Sequence, residues 1–96
     1  MTKEKVIEVI GRYRRLFEER GIGKTSYPDG ELLKNAQLGL EHCHWMLDQM
    51  IEFVQQGRME KVFRWLGFIQ GVLWMNQIYT LEDLKNHNKR PEEEYR

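Results

Sequence analysis

From Leu33 to Val54 the apolar residues Leu33, Ala36, Leu40, Cys43, Leu47, Met50 and Val54 recur at alternating steps of three and four. That rhythm places one side of an α-helix in a continuous apolar seam, and no strand keeps it. Leu32, Met46 and Phe53 widen the seam on one shoulder, which is the broad stripe of a helix packed among others. With Asp29 as a cap, the pattern predicts a helix over about 30–56, closed by Gln55-Gln56-Gly57.

Two further segments share this period. Thr2 caps a helix over about 2–20 whose stripe is Val6, Ile10, Tyr13 and Phe17, with Val9 and Leu16 beside it. The segment 58–76 carries a seam of Met59, Val62, Leu66, Ile69 and Leu73, and a second stripe of Trp65, Phe68, Val72 and Met75. A helix apolar over that much of its circumference is expected at the centre of the fold or in an oligomer. A short fourth helix over 80–87 is marked by Thr80 and Asp83 at capping-box spacing, with Tyr79 and Leu84 as a hydrophobic staple. Residues 21–30, holding Gly21, Gly23 and Tyr27-Pro28-Asp29-Gly30, read as a loop, and the tail 89–96 reads as frayed. The expectation is one all-α domain, 1–96, a small helical bundle of three main helices and a short C-terminal fourth.

Charge narrows the function classes. Fifteen basic and fifteen acidic residues cancel, so no net field draws the chain to nucleic acid or an anionic membrane. Residues 1–24 carry seven Lys/Arg against four Glu, and 25–57 carry one Lys against five acids, so the first two helices are expected to pair electrostatically. A basic face on helix one would involve Lys5, Arg12 and Arg15. Arg12, Arg14 and Arg15 are the better candidates for phosphate contacts, because helix three is too apolar for a groove, and nucleic acid is not an expected partner. No apolar run reaches membrane-spanning length, and no signal-peptide pattern opens the chain, so a cytoplasmic location is expected.

The motifs that could carry chemistry have simpler structural readings. His42-Cys43-His44 cannot converge on one metal ion from adjacent helical positions, and Cys43 sits in the seam as a buried thiol, leaving the histidines on the helix edges. Glu41, Asp48 and Glu52 form a polar side of helix two, where Asp48 and Glu52 repel unless a basic residue lies opposite. Gly21-Ile22-Gly23-Lys24-Thr25 lacks the first glycine and the preceding strand of a phosphate loop. No nucleophile, base and orienting group come together, so neither an enzyme nor a cofactor is expected. Gly67 and Gly71 each cost roughly 1 kcal/mol of helix propensity on one ridge, which with Trp74 reads as a notch for close backbone packing.

The segment Arg64-Trp65-Leu66-Gly67-Phe68-Ile69-Gln70-Gly71-Val72-Leu73-Trp74, followed by Tyr79-Thr80-Leu81-Glu82-Asp83-Leu84-Lys85-Asn86-His87-Asn88, resembles a pattern in short proteins of tailed bacteriophages and prophages. The resemblance implies a small accessory protein of the bacterial cytoplasm acting on a host machine or defence pathway, and it transfers no functional residue. Two functions are therefore expected in competition. One is a non-enzymatic helical module that forms a homodimer or higher oligomer through the seams of helices two and three and engages a host or phage protein. The other is a protein holding a small anionic, nucleotide-like ligand between helices or subunits, contacted by Arg64, Trp65, Tyr79 and Asn88.

Overall fold

The computed structural model describes residues 1–89, and these are all-helical: α1 (Lys3–Glu19), α2 (Ala36–Gln55), α3 (Met59–Met75) and α4 (Leu81–Asn88). The tail expected to fray lies, from residue 90 on, outside the described residues. No helix among them is long and apolar enough to cross a membrane.

The helix boundaries follow from local chemistry. Thr2 accepts the Lys5 amide at 3.1 Å and opens α1. Thr80 and Asp83 form a reciprocal capping box at 3.0 Å each way and open α4. The first three helices end alike: the amides of Ile22, Arg58 and Ile78 reach back to the carbonyls of Phe17, Phe53 and Leu73 at 2.9–3.0 Å. The residue before each adopts a left-handed backbone, Gly21 at φ 67° and Gly57 at φ 75°, where glycine has no Cβ penalty. At the third end that position is Gln77, at φ 61°.

One boundary departs from the sequence reading. Helix α2 begins at Ala36, not near residue 30, with Asn35 as its cap accepting the Leu38 amide at 3.0 Å. Leu32 and Leu33, read as part of the seam, lie in the preceding loop at 93% and 54% exposure. The seam rhythm runs through Leu33 and its shoulder through Leu32, but Asn35 is among the strongest cap formers, and Gly30 and Asn35 both disfavour a helical interior.

Helix α2 is the centre of the fold, packed against both α1 and α3, while α4 lies on α1. Arg14 meets Asp48 and Phe17 meets His44, so residue numbers rise on α1 as they fall on α2, and the two run antiparallel. The seam residues Leu40, Cys43, Leu47, Met50 and Val54 of α2 and Val62, Leu66, Ile69 and Leu73 of α3 are buried in the core of the single chain with Val6, Val9, Ile10, Tyr13 and Phe17 of α1. This corrects the expectation that the two seams form an oligomer interface, because each is already covered. It also moves α3 from the centre to the edge: Phe63, Phe68, Trp74 and Met75 are 40%, 56%, 47% and 73% exposed.

The expected pairing of the first two helices is present. Asp48 accepts from Arg14 at 2.7 Å and from Lys24 at 2.9 Å. Burial pushes the Asp48 carboxyl up, but the Lys24 bond and charge together with Arg14 more than offset it, leaving its pKa below the ordinary range. Glu52 therefore faces an Asp48 charge that two cations already neutralise.

Candidate functional site: an apolar groove beside the third helix

The loop between α1 and α2 returns toward the protein surface and is held there by a few specific contacts. Thr25 N–H donates to the Glu41 carbonyl at 3.2 Å, and Tyr27 N–H donates to His42 Nδ1 at 2.9 Å. The Tyr27 hydroxyl donates to the Leu32 carbonyl at 2.7 Å and folds the loop on itself. Leu33 lies over Gly39 of α2, where a Cβ would come within 3.0 Å of a Leu33 methyl, so the glycine creates the seat for that side chain.

Between this loop and the C-terminal half of α3 runs a groove of about 1090 Å³. Leu33 forms part of one wall, Phe68, Val72, Trp74 and Met75 form the other, and Gly71 leaves its floor low. Polar groups stand at the rim: Asp29, Glu31, Asn35, His42 and Asn76. Burial lowers the His42 pKa and the nearby Asp29 charge partly opposes that shift. A neutral imidazole whose Nδ1 accepts from the Tyr27 amide is the state this geometry requires. The groove offers apolar surface with an acidic edge.

The glycine notch expected on α3 is open. A Cβ at Gly67 or Gly71 would find nothing within 4 Å, so among the described residues no backbone packs there. Trp74 lines the groove rather than closing a packed notch.

The four residues nominated as ligand contacts go to three places. Arg64 lies on the outer face of α3, 64% exposed, beside Glu60 at 3.4 Å. Trp65 turns toward α2, edge-on to Phe53 at 5.0 Å and 6.4 Å from Trp45, with Lys61 Nζ 5.3 Å above its ring. Tyr79 and Asn88 both join a polar cluster that ties α4 to α1 and α3, and the structure brings neither Arg64 nor Trp65 to it.

That cluster was not legible from the sequence. Tyr13 of α1 and His87 of α4 are hydrogen-bonded at 2.8 Å although 74 positions apart. Gln70 of α3 donates to the Tyr13 hydroxyl at 3.0 Å and exchanges amide bonds with Asn88 at 2.8 and 3.2 Å. Tyr79 meets the His87 ring edge-on at 4.6 Å. Burial raises the Tyr13 hydroxyl to about 12, the Gln70 bond opposing. Burial, with the Arg12 charge, lowers His87. A protonated tyrosine donating to a neutral imidazole accounts for both directions. The Tyr13 hydroxyl, His87 Nδ1 and the side-chain amides of Gln70 and Asn88 are each hydrogen-bonded within the cluster, which marks a structural latch.

The histidines beside Cys43 diverge as the helix dictates. Cys43 is fully buried and burial pushes its thiol up to about 12, so it is a core side chain. His44 is a correction: it lies inside, 3% exposed, not on the helix edge. Its Nδ1 pairs with the Ile22 carbonyl at 2.8 Å, and its ring packs 5.2 Å from Phe17, because the chain after α1 folds over it. Among the described residues no group of His, Cys, Asp and Glu gathers to hold a metal ion. No family model matches the chain, no curated protein matches it, and no solved structure matches it.

Proposed function

We propose that this protein is a non-enzymatic interaction module, a small helical bundle that self-associates through the outer face of α3 and the groove beside it. The observation that carries this reading is the apolar surface that α3 leaves exposed. Its first stripe, Val62, Leu66, Ile69 and Leu73, already fills the core, yet Phe63, Phe68, Trp74 and Met75 stay in water.

Together with Leu33 these side chains expose on the order of 500 Å² of apolar surface, taking about 200 Å² for each when fully open. That reaches the size of the largest patches tolerated by monomers and approaches the roughly 800 Å² per partner of a standard interface. A helix that is apolar well beyond its core-facing stripe, standing at the edge of the fold, is accounted for by a second copy. The setting consistent with the phage-like pattern of residues 64–88 is the bacterial cytoplasm, where the assembled module would engage a host or phage protein. A nucleotide-like ligand finds less support, since Arg64 and Trp65 point away from each other and from Tyr79 and Asn88.

Light scattering on the wild type and on a Phe68→Glu/Met75→Glu variant tests the proposal. Both positions are exposed, so the variant keeps its helical circular dichroism. The wild type is expected to run as an oligomer and the variant as a monomer. Equal masses would contradict the assignment of this face.

A further inference from the structure

At 100° per residue, the outward arc of α3 has Gly67 and Gly71 at its middle. Phe63 and Trp74 flank them on one side, and Arg64, Phe68 and Met75 on the other; the groove lies along the second flank, and Trp74 lines it from the first. The arc is low in the centre and bulky at both ends.

Such a profile matches its own reverse. With a rise of about 1.5 Å per residue, Arg64 lies roughly 7.5 Å to one side of the level of Ile69, and Met75 roughly 9 Å to the other. If two copies of α3 run antiparallel about that level, Gly67 of one meets Gly71 of the other, and Arg64 of one comes level with Trp74 of the other, about 1.5 Å short of Met75. A two-fold axis perpendicular to both helices keeps each flank on its own side, so Arg64 arrives at the groove flank. A parallel pairing would exchange the flanks and carry each Arg64 to the other copy's Phe63 and Trp74 flank, away from the groove.

Charge favours the antiparallel arrangement. The rim of the groove carries Asp29 and Glu31, and neither forms an ion pair with another side chain among the described residues. Among the described residues Arg64 has only an exposed contact with Glu60 at 3.4 Å, which contributes little and is readily exchanged.

We propose that the groove is completed by a second copy of this chain: two α3 helices cross antiparallel at Gly67 and Gly71, and each Arg64 enters the other copy's groove beside Met75, facing Asp29 and Glu31. This rests on the self-association proposed above and adds its register and its charge pairing. It also gives the glycine ridge a role that the single chain does not, and it explains a lone arginine in the most apolar stretch of the sequence.

A charge exchange tests it. Arg64→Glu and Asp29→Lys/Glu31→Lys are each expected to weaken the dimer at least about tenfold in sedimentation equilibrium, the loss for a close interfacial charge pair made repulsive. The combined variant Arg64→Glu/Asp29→Lys/Glu31→Lys is expected to recover most of the wild-type association. All three side chains are exposed, and a melting curve at high dilution verifies that each variant folds. A dimeric wild type indifferent to these changes, or reversal without recovery, would overturn this register while leaving self-association standing. A wild type that stays monomeric at every concentration would overturn both.

Discussion

Replacing Gly71 by alanine separates the fold of one chain from its assembly. Gly71 lies inside α3, is exposed, and has open space where a methyl would go. In the single chain the substitution therefore brings only the helix-propensity gain of alanine over glycine, about 1 kcal/mol. For a domain of this length that raises the melting midpoint by roughly 4–8 °C. Gly67→Ala has the same local environment and the same expected gain. In the proposed assembly, each methyl would enter the crossing point of two helices and force them apart. Thermal melts by circular dichroism at micromolar concentration, and again about a hundredfold higher, read both effects. The gain should be full when dilute and should shrink or reverse when concentrated. A loss of stability in the dilute sample would mean the ridge is occupied within the chain. An equal gain at both concentrations would mean the ridge is no contact surface.

Two further predictions concern the buried polar groups. His42 and His87 both have pKa values held below the ordinary 6.5 by burial, so just under that pH the unfolded chain binds protons that the folded chain refuses. Stability from these groups is present above pH 6.5 and falls as the pH drops through the window beneath it; between pH 7.5 and 5.5 the wild-type melting midpoint should decline, and that of His42→Gln/His87→Gln should decline less, with identical slopes refuting the assignment. Tyr13→Phe takes the donor from His87 and one acceptor from Gln70, which keeps Asn88, so it should cost about 1–3 kcal/mol in urea unfolding. Because the Tyr13 hydroxyl is raised from 10.0 to about 12, the wild type should also lose stability as the pH rises from 10.0 toward 12, a component the phenylalanine variant lacks.

What the sequence made legible was the local part of the fold. Thr2, Thr80 with Asp83, and Gly21 and Gly57 act within a few residues of themselves, and they set helix ends where expected. The acidic and basic halves of the first two helices also meet as their charges require, through Asp48 with Arg14 and Lys24. The start of α2 was misread because Leu33 keeps the seam's phase while lying in the loop, and periodicity does not distinguish a packed leucine from one in register by accident. Asn35 and Gly39 were the available signals, one a cap and the other a seat for Leu33. Which apolar face would be left uncovered was not legible, since that depends on α2 lying between α1 and α3. The contacts of Tyr13 with His87 and of Gln70 with Asn88 join distant segments with no local pattern, and the burial of His44 depends on the path of the chain after α1.

The most direct test of the account is the mass of the wild-type protein in sedimentation equilibrium over a dilution series. The exposed stripe of α3 predicts a reversible shift from one 11.7 kDa chain at high dilution to two at high concentration. A single chain's mass throughout the series would contradict it, and the outer face of α3 would then have no part in self-association.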